Sequence, residues 1–402
     1  MKKNVNTFVF CCLFLLYGSF FSFTQTFEFL YYPGDTYRIL STVQEDVFLN
    51  GKFSHHAEIL NRITVEVVEV KEGQGKLKCT FHTSEESRSS QRVFSWGRTY
   101  ESEFWKDSQG KMTIDPQYFM PIVRNVPVFP NRTLKLGEEW TAEGEEVHDL
   151  RDSFGITTPL RFPIYPHYRY REDRTMEGKT LRVIEITYNI FQRFNPTSNV
   201  RIYPIRLAGN SRQLLFWDAE EGRAHSYEEE FEFLFELNTG DRVEYRGKAQ
   251  ARVVEAKRMD RAKIVQEIQK DLNQMAVPNT EVREDPLGVT LTLENIQFLP
   301  DSATLLPIEK EKLNRISLIL KKYPDRDILI TGHTALAGTA AGRKKLSEER
   351  ARAVGEYLLS LGVRTKEQII TRGVGAEIPI ADNSTEEGRQ KNRRVEITLL
   401  EN

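Results

Sequence analysis

The chain has 402 residues, with 56 Lys+Arg against 58 Asp+Glu. That length exceeds one ordinary domain and predicts two or three. The near balance of charge gives no ground for a nucleic-acid partner, and none is expected. Aromatic residues make up 11% of the chain, which fits a folded protein rather than a disordered one.

Residues 1–24 read as a secretory signal peptide. Lys2-Lys3 form a basic start, Phe8 to Phe23 an apolar run, and Ser22, Thr24 and Gln25 supply small or polar residues at its end. A membrane anchor is the weaker reading. The run falls short of about 18–20 residues and Gly18 interrupts it. Cys11-Cys12 lie too early in it for a lipoprotein acylation site. Beyond them only Cys79 remains, so an exported chain would carry no internal disulfide and must draw its stability from cores.

Residues 25–255 read as β-structure almost throughout. Asn50-Gly51 between Val47-Phe48-Leu49 and Lys52-Phe53 predicts a two-residue hairpin. Ile63 to Val70 reads as a strand closed by Glu72-Gly73-Gln74-Gly75, with Leu77 to Phe81 pairing back. Pro116, Pro121, Pro127 and Pro130 exclude a central strand and predict a crossing between two halves, 25–120 and 121–255. Three cues recur in the same order. Gly34-Asp35-Thr36-Tyr37 echoes Gly137-Glu138-Glu139-Trp140; Glu72-Gly73 echoes Glu177-Gly178; Trp105-Lys106-Asp107 with Gly110 echoes Trp217-Asp218 with Gly222. These cues raise the hypothesis of an internal duplication, against the alternative that turns recur in any meander.

Tyr227 to Leu237 predicts the clearest strand. Tyr227, Phe231, Phe233, Phe235 and Leu237 share one face; Glu228, Glu230, Glu232 and Glu236 share the other. After Asn238-Thr239-Gly240 the chain returns with Arg242, Arg246 and Lys248 placed to face those glutamates. A solvated face with ion pairs, each worth a few tenths to about 1 kcal/mol, is preferred over the lumen of a membrane barrel. Leu181 to Ile186 keeps no charge-free face for lipid.

At 256–286 the period changes. Ile264, Ile268, Leu272 and Met275 recur at helical spacing and predict a connecting helix; Pro278 and Pro286 bracket an expected short extended linker. Residues 287–402 then alternate strand and helix. Val289 to Leu293 and Ile296 to Phe298 read as strand, and Pro307 opens a helix with Ile308, Leu313, Ile316 and Leu320 as its apolar face. A strand at 328–331 follows, then a small-residue loop and a helix that stops at Gly362. Ile369-Ile370-Thr371 and Val395 to Leu399 complete the sheet. The expected fold is multidomain: an N-terminal all-β part (sandwich or curved antiparallel sheets), a connecting helix and a C-terminal α/β sandwich.

Within 287–402 the sequence reads Gly332-His333-Thr334-Ala335-Leu336-Ala337-Gly338, then Leu346-Ser347-Glu348-Glu349-Arg350-Ala351, and finally Asn392-Arg393-Arg394-Val395. Phe298 to Leu305 precedes these motifs and Asp382 to Arg389 lies between them. Together they resemble the OmpA-like peptidoglycan-binding domain. The resemblance implies a pocket for the diamino acid of a peptidoglycan stem peptide, gripped by an Asp and an Arg. A zwitterionic end needs one fixed anion and one guanidinium fork. The family's Arg falls at Arg350, a second basic contact at Arg393 and the loop Thr at Thr334. The family's Asp falls at Ala335, and its usual Asn at Arg343. The pocket is therefore expected to have lost an anion and gained a cation. Asp301, in the opening motif, is a candidate to replace the missing carboxylate or to pair with Arg343. His333 reads as a structural hydrogen-bonding residue.

No catalytic set stands out. The seven histidines are scattered, and His55-His56 would point to opposite faces of a strand. Neither enzyme activity nor a cofactor or metal is expected. The resemblance and the signal imply a cell-envelope protein in the periplasm, associated with the outer membrane or cell wall. Its implied partner is peptidoglycan, with stem-peptide binding altered or lost; other envelope proteins or the outer membrane are further candidates. An integral outer-membrane β-barrel with a wall anchor, or a periplasmic carrier of an apolar ligand, stay open as alternatives.

Overall fold

The computed structural model describes residues 24–86, 93–195, 200–255, 259–294, 296, 298–299 and 302–401. The apolar run before Thr24, and Asp301, lie outside the described residues. After β1 (Thr24–Gln25), four long strands form an antiparallel meander: β2 (Thr36–Leu49), β3 (Lys52–Lys71), β4 (Gln74–Glu86) and β5 (Phe94–Lys106). A short β6 (Met112–Ile114) folds back on β5. Asn50 and Gly51 both have positive φ, 50° and 77°, as a primed hairpin turn requires. In β3, Val65 and Val67 are buried; a bulge before Glu69 resets the alternation and turns Val68 outward.

The proline-rich crossing carries only short elements: β7 (Val123–Arg124), β8 (Leu134–Lys135), β9 (Glu139–Thr141), β10 (Gly144–His148), the helical turn α1 (Arg151–Phe154) and β11 (Leu160–Ile164). Strands β7, β10 and β11 make a small separate sheet. A second set of long strands follows: β12 (His167–Met176), β13 (Lys179–Arg193), β14 (Pro204–Asp218), β15 (Arg223–Leu237) and β16 (Arg242–Glu255). In β15 and β16 the register sets Glu230 opposite Lys248, Glu232 opposite Arg246 and Glu236 opposite Arg242. Lys248 Nζ lies 2.7 Å from Glu230. On the other face Phe231 lies against Gly247 and Phe233 against Gly209, where a Cβ would collide with the rings.

The three sequence echoes have matching geometry. Gly34 N donates to Val67 O and Val67 N to Asp35 O; likewise Gly137 N donates to Tyr170 O and Tyr170 N to Glu138 O. Glu72-Gly73 and Glu177-Gly178 both turn with positive φ, and Asp107 and Asp218 each accept two backbone N–H groups from the turn that follows. Residues 26–31 thread between these last two turns: Phe29 N donates to Ser108 O and Leu30 N to Gly222 O. Phe27, Phe129, Tyr168, Tyr170 and Trp217 pack into one aromatic cluster there.

The C-terminal elements are α2 (Arg261–Gln274), β17 (Thr280–Asp285), β18 (Gly288–Glu294), α3 (Pro307–Leu320), β19 (Ile328–Gly332), α4 (Ala340–Ser360), a 3-10 turn (Lys366–Gln368), β20 (Ile369–Gly373), α5 (Glu386–Asn392) and β21 (Arg394–Leu400). Three readings change. The expected extended linker is a strand: β17 pairs along its length with β18 at the sheet edge. Of the expected strand 296–298, Phe298 forms only an isolated bridge to Leu305. The apolar face of α3 is Leu313, Ile316, Ile319 and Leu320, whereas Ile308 is exposed. Pro307 sets the first turn, and Ile308 beside it points away from the sheet that the later residues cover.

One main core lies between the helices and this end of the sheet. Ile268 and Leu272 of α2, the α3 residues, and Ala351, Val354 and Leu358 of α4 cover Leu291, Ile328, Ile330, Ile369 and Ile397. Each fully buried Leu or Ile contributes roughly 1.5–3 kcal/mol. The long sheet runs β17-β18-β21-β19-β20-β5-β4-β3-β2-β16-β15-β14-β13-β12-β9. It is an open path among the described residues. Its N-terminal and C-terminal parts join where β20 lies parallel to β5, Ile370 opposite Phe94 and Thr371 opposite Ser95. No described helix is long and apolar enough to cross a membrane.

Candidate functional site

Strand β19 ends at Gly332 and delivers the motif loop at the head of α4. A Cβ on Gly332 would fall 2.1 Å from the Ser347 carbonyl oxygen, and one on Gly373 would fall 2.3 Å from the Glu348 N. Glycine at both strand ends therefore lets α4 ride directly on the sheet. Thr339 caps the helix by accepting from Gly342 N. Ser347, fully buried, accepts from Gly375 N and donates to Lys344 O.

The loop is stitched down along its length. His333 N donates to Arg394 O at 3.0 Å and Thr334 N to Gly375 O at 2.8 Å. Leu336 N donates to Asn383 Oδ1 at 3.0 Å, an oxygen that also accepts from Asn392 Nδ2. Asn392 in turn accepts from Ile380 N and Ala381 N. Asn383 and Asn392 were not singled out from the sequence as site residues. Their signal was their place inside the two closing motifs, with amides able to bridge several backbone groups at once.

Thr334 is buried, and among the described residues its hydroxyl has no hydrogen-bond partner. Ala335 beside it is also buried and presents only a methyl group. Arg350, half-buried on α4, has its guanidinium 4.9 Å from the centre of the Phe298 ring. This cation–π contact brings the opening motif against the Arg and holds the fork in place. Arg343 folds back onto its own loop, where Nη1 donates to Gly338 O. Arg393 is held by α5: its Nη2 lies 2.7 Å from Glu386 Oε1, while Arg389 takes the other oxygen of that carboxylate. The loop thus unites Thr334, Ala335 and Arg343; Phe298 ties the opening motif to Arg350; and Arg393 sits next to the Arg394 carbonyl that anchors His333.

Behind the loop lies a buried polar ladder. His333 Nε2 is 3.4 Å from Glu396 Oε2, and Arg394 Nε is 2.9 Å from Glu396 Oε1. Burial alone would push the Glu396 carboxyl up, but His333 and Arg394 outweigh it and hold it at about 2. Burial also lowers the proton affinity of His333, with Glu396 opposing and Arg394 adding to the effect. His333 is thus a structural residue that ties the loop to β21.

With its backbone N–H groups at His333, Thr334, Leu336 and Ala337 already spent within the fold, the loop offers a ligand the Thr334 hydroxyl, and the guanidinium of Arg350 on the Phe298 ring suits an anionic or zwitterionic group. Residues 297–393 match the model of the OmpA family, and this C-terminal part of the chain is an OmpA-family domain. The chain is 44% identical over 104 residues to "Peptidoglycan-binding protein ArfA" of Mycobacterium tuberculosis, covering 26% of this chain and 32% of that protein. It is 41% identical over 105 residues to "Probable lipoprotein YiaD" of Escherichia coli, covering 26% of this chain and 48% of that one. Among solved structures, an outer membrane protein from Borrelia burgdorferi is 38% identical, with 30% of this chain and 96% of that chain covered and a TM-score of 0.26. The chain therefore spans about a third to a half of the curated relatives it matches.

Proposed function

We propose that this is a cell-envelope protein of the periplasm whose OmpA-family domain meets peptidoglycan, with a pocket altered in charge. The carrying observation is the motif loop. The Thr334 hydroxyl is buried and, among the described residues, unpartnered, as a group reserved for a ligand would be, while the neighbouring position offers the Ala335 methyl. Arg350 supplies the carboxylate-binding fork at the position where the family carries it. The names of the relatives, a peptidoglycan-binding protein and a lipoprotein, support the compartment and a binding rather than catalytic role.

Without the acidic partner the ammonium of a stem-peptide diamino acid is left uncompensated. Losing one charge of a desolvated pair costs about 2–5 kcal/mol. The pocket accordingly binds the stem peptide weakly, through its carboxylate and Arg350. Calorimetric titration of the protein with a stem peptide carrying its diamino acid tests this. Ala335→Asp is expected to tighten binding by tenfold or more, and Arg350→Ala to abolish what remains. Tight wild-type binding that Arg350→Ala leaves unchanged overturns the reading.

The charged strand pair β15–β16 is proposed as a solvated surface, supported by the Glu230–Lys248 pair and the open strand path. The C-terminal unit is proposed to start at α2 rather than after β17, since Ile268 and Leu272 belong to its core.

A further inference from the structure

A cavity of about 730 Å³ lies between the N-terminal sheet and the C-terminal domain, remote from the motif loop. Its floor is one face of four neighbouring strands. Arg38 and Leu40 of β2, Arg62 of β3, Gln250 and Arg252 of β16 and Glu228 of β15 all line it. Its roof is the segment Asp325 to Asp327 ahead of β19, with Thr365 and the 3-10 turn. The register sets Leu40 opposite Arg62 and Arg38 opposite Thr64, so Arg38 and Arg62 are diagonal neighbours on the same face.

Both arginines are more than nine-tenths buried, at 8% and 5% exposure. Arg62 Nε is 2.6 Å from Asp327 Oδ2, and its Nη2 donates to the Glu367 carbonyl. Among the described residues its Nη1 has no hydrogen-bond partner, and neither does Arg38 Nε. Among the described residues Asp327 is the one buried carboxylate lining the cavity, against buried Arg38, Arg62 and Arg326. Glu228, Asp325 and Glu367 are exposed at its rim, where water screens them. Burial lowers the proton affinity of Arg38 to a pKa of about 10, with Asp327 opposing and Arg62 and Arg326 adding to it. A buried guanidinium with vacant donors calls for an acceptor.

We propose that this cavity is a binding site for a small soluble oxyanion, a phosphate or carboxylate group held between the Arg38 and Arg62 guanidinium groups. Guanidinium forks match both groups in geometry and charge. A volume of about 730 Å³ leaves room for a body the size of a sugar or short acid attached to the anion. Because floor and roof come from different parts of the chain, the ligand would also clamp the β3–β19 junction.

The test uses the full chain, titrated at constant ionic strength with inorganic phosphate, succinate or chloride, and read by calorimetry and by the melting temperature. Saturable binding of phosphate or succinate, with a rise in melting temperature beyond that in chloride, is expected. The tighter of the two identifies the group. Arg38→Gln should weaken binding at least tenfold while leaving stem-peptide binding by the motif loop unchanged. If that variant does not fold, Arg38→Lys, which keeps the charge but loses the fork, should weaken binding to a similar extent. No binding beyond chloride, or wild-type affinity in the folded variant, overturns the proposal.

Discussion

Arg62 of β3 and Asp327, the residue before β19, lie 265 residues apart and meet at 2.6 Å. Both side chains are about nine-tenths buried. Close by, Lys366 reaches Glu58 at 2.7 Å and Thr371 Oγ1 donates to Phe94 O. Two stretches that the sequence separates by a connector are therefore joined by a continuous sheet and a buried ion pair.

Breaking this pair from one side strands the other charge. Asp327→Ala is expected to destabilise the protein by about 3–5 kcal/mol, and the double variant Arg62→Met, Asp327→Leu to recover most of that loss. Urea unfolding of the three proteins checks it. A single variant as stable as wild type would show that the pair contributes nothing.

Stability should fall at acid pH through Glu396. Its folded pKa, about 2, lies below the ordinary 4.5. The stabilisation is thus fully present above pH 4.5 and lost as pH falls towards 2, and it is on the order of 3 kcal/mol. Thermal melts between pH 7 and pH 2 should show this slope in wild type and a shallower one in Glu396→Gln.

The Thr334 hydroxyl separates folding from binding. Since it has no partner among the described residues, Thr334→Val removes a buried polar group without breaking a bond seen there. The melting temperature is expected to hold or rise, and retention on purified peptidoglycan to drop. A variant that melts lower and binds as before would place the hydroxyl in the fold instead.

Helix α2 is expected to be integral to the C-terminal core. Leu272 is 2% exposed and packs within it. Leu272→Ala should cost about 2–5 kcal/mol in chemical denaturation, as for other buried leucines. A loss within about 0.5 kcal/mol, the range of surface substitutions, would mark α2 as a loose tether.

Much of this was legible in local pattern. The Asn50-Gly51 hairpin, the alternation in β15, the stop of α4 at Gly362 and the motif loop all follow from turn chemistry and side-chain period, which act over a few residues. The opposition of Glu230 and Lys248 followed too, because a tight turn sets the register of the strands it joins. Ile308 misled because helical spacing names a stripe, while the neighbouring elements decide how much of it is covered. Residues 280–285 misled because bracketing prolines mark a boundary but not whether a sheet edge is waiting to pair. Sequence alone thus determined the OmpA family of residues 297–393, the strand-rich character of the chain and the presence of a methyl group at position 335. The tertiary structure decided what depends on distant meetings: the parallel contact of β20 with β5, the Asn383–Asn392 tether of the loop, and the burial of Arg38 and Arg62 beneath Asp327. Chain periodicity carries no information about which faces, hundreds of residues apart, will exclude water together.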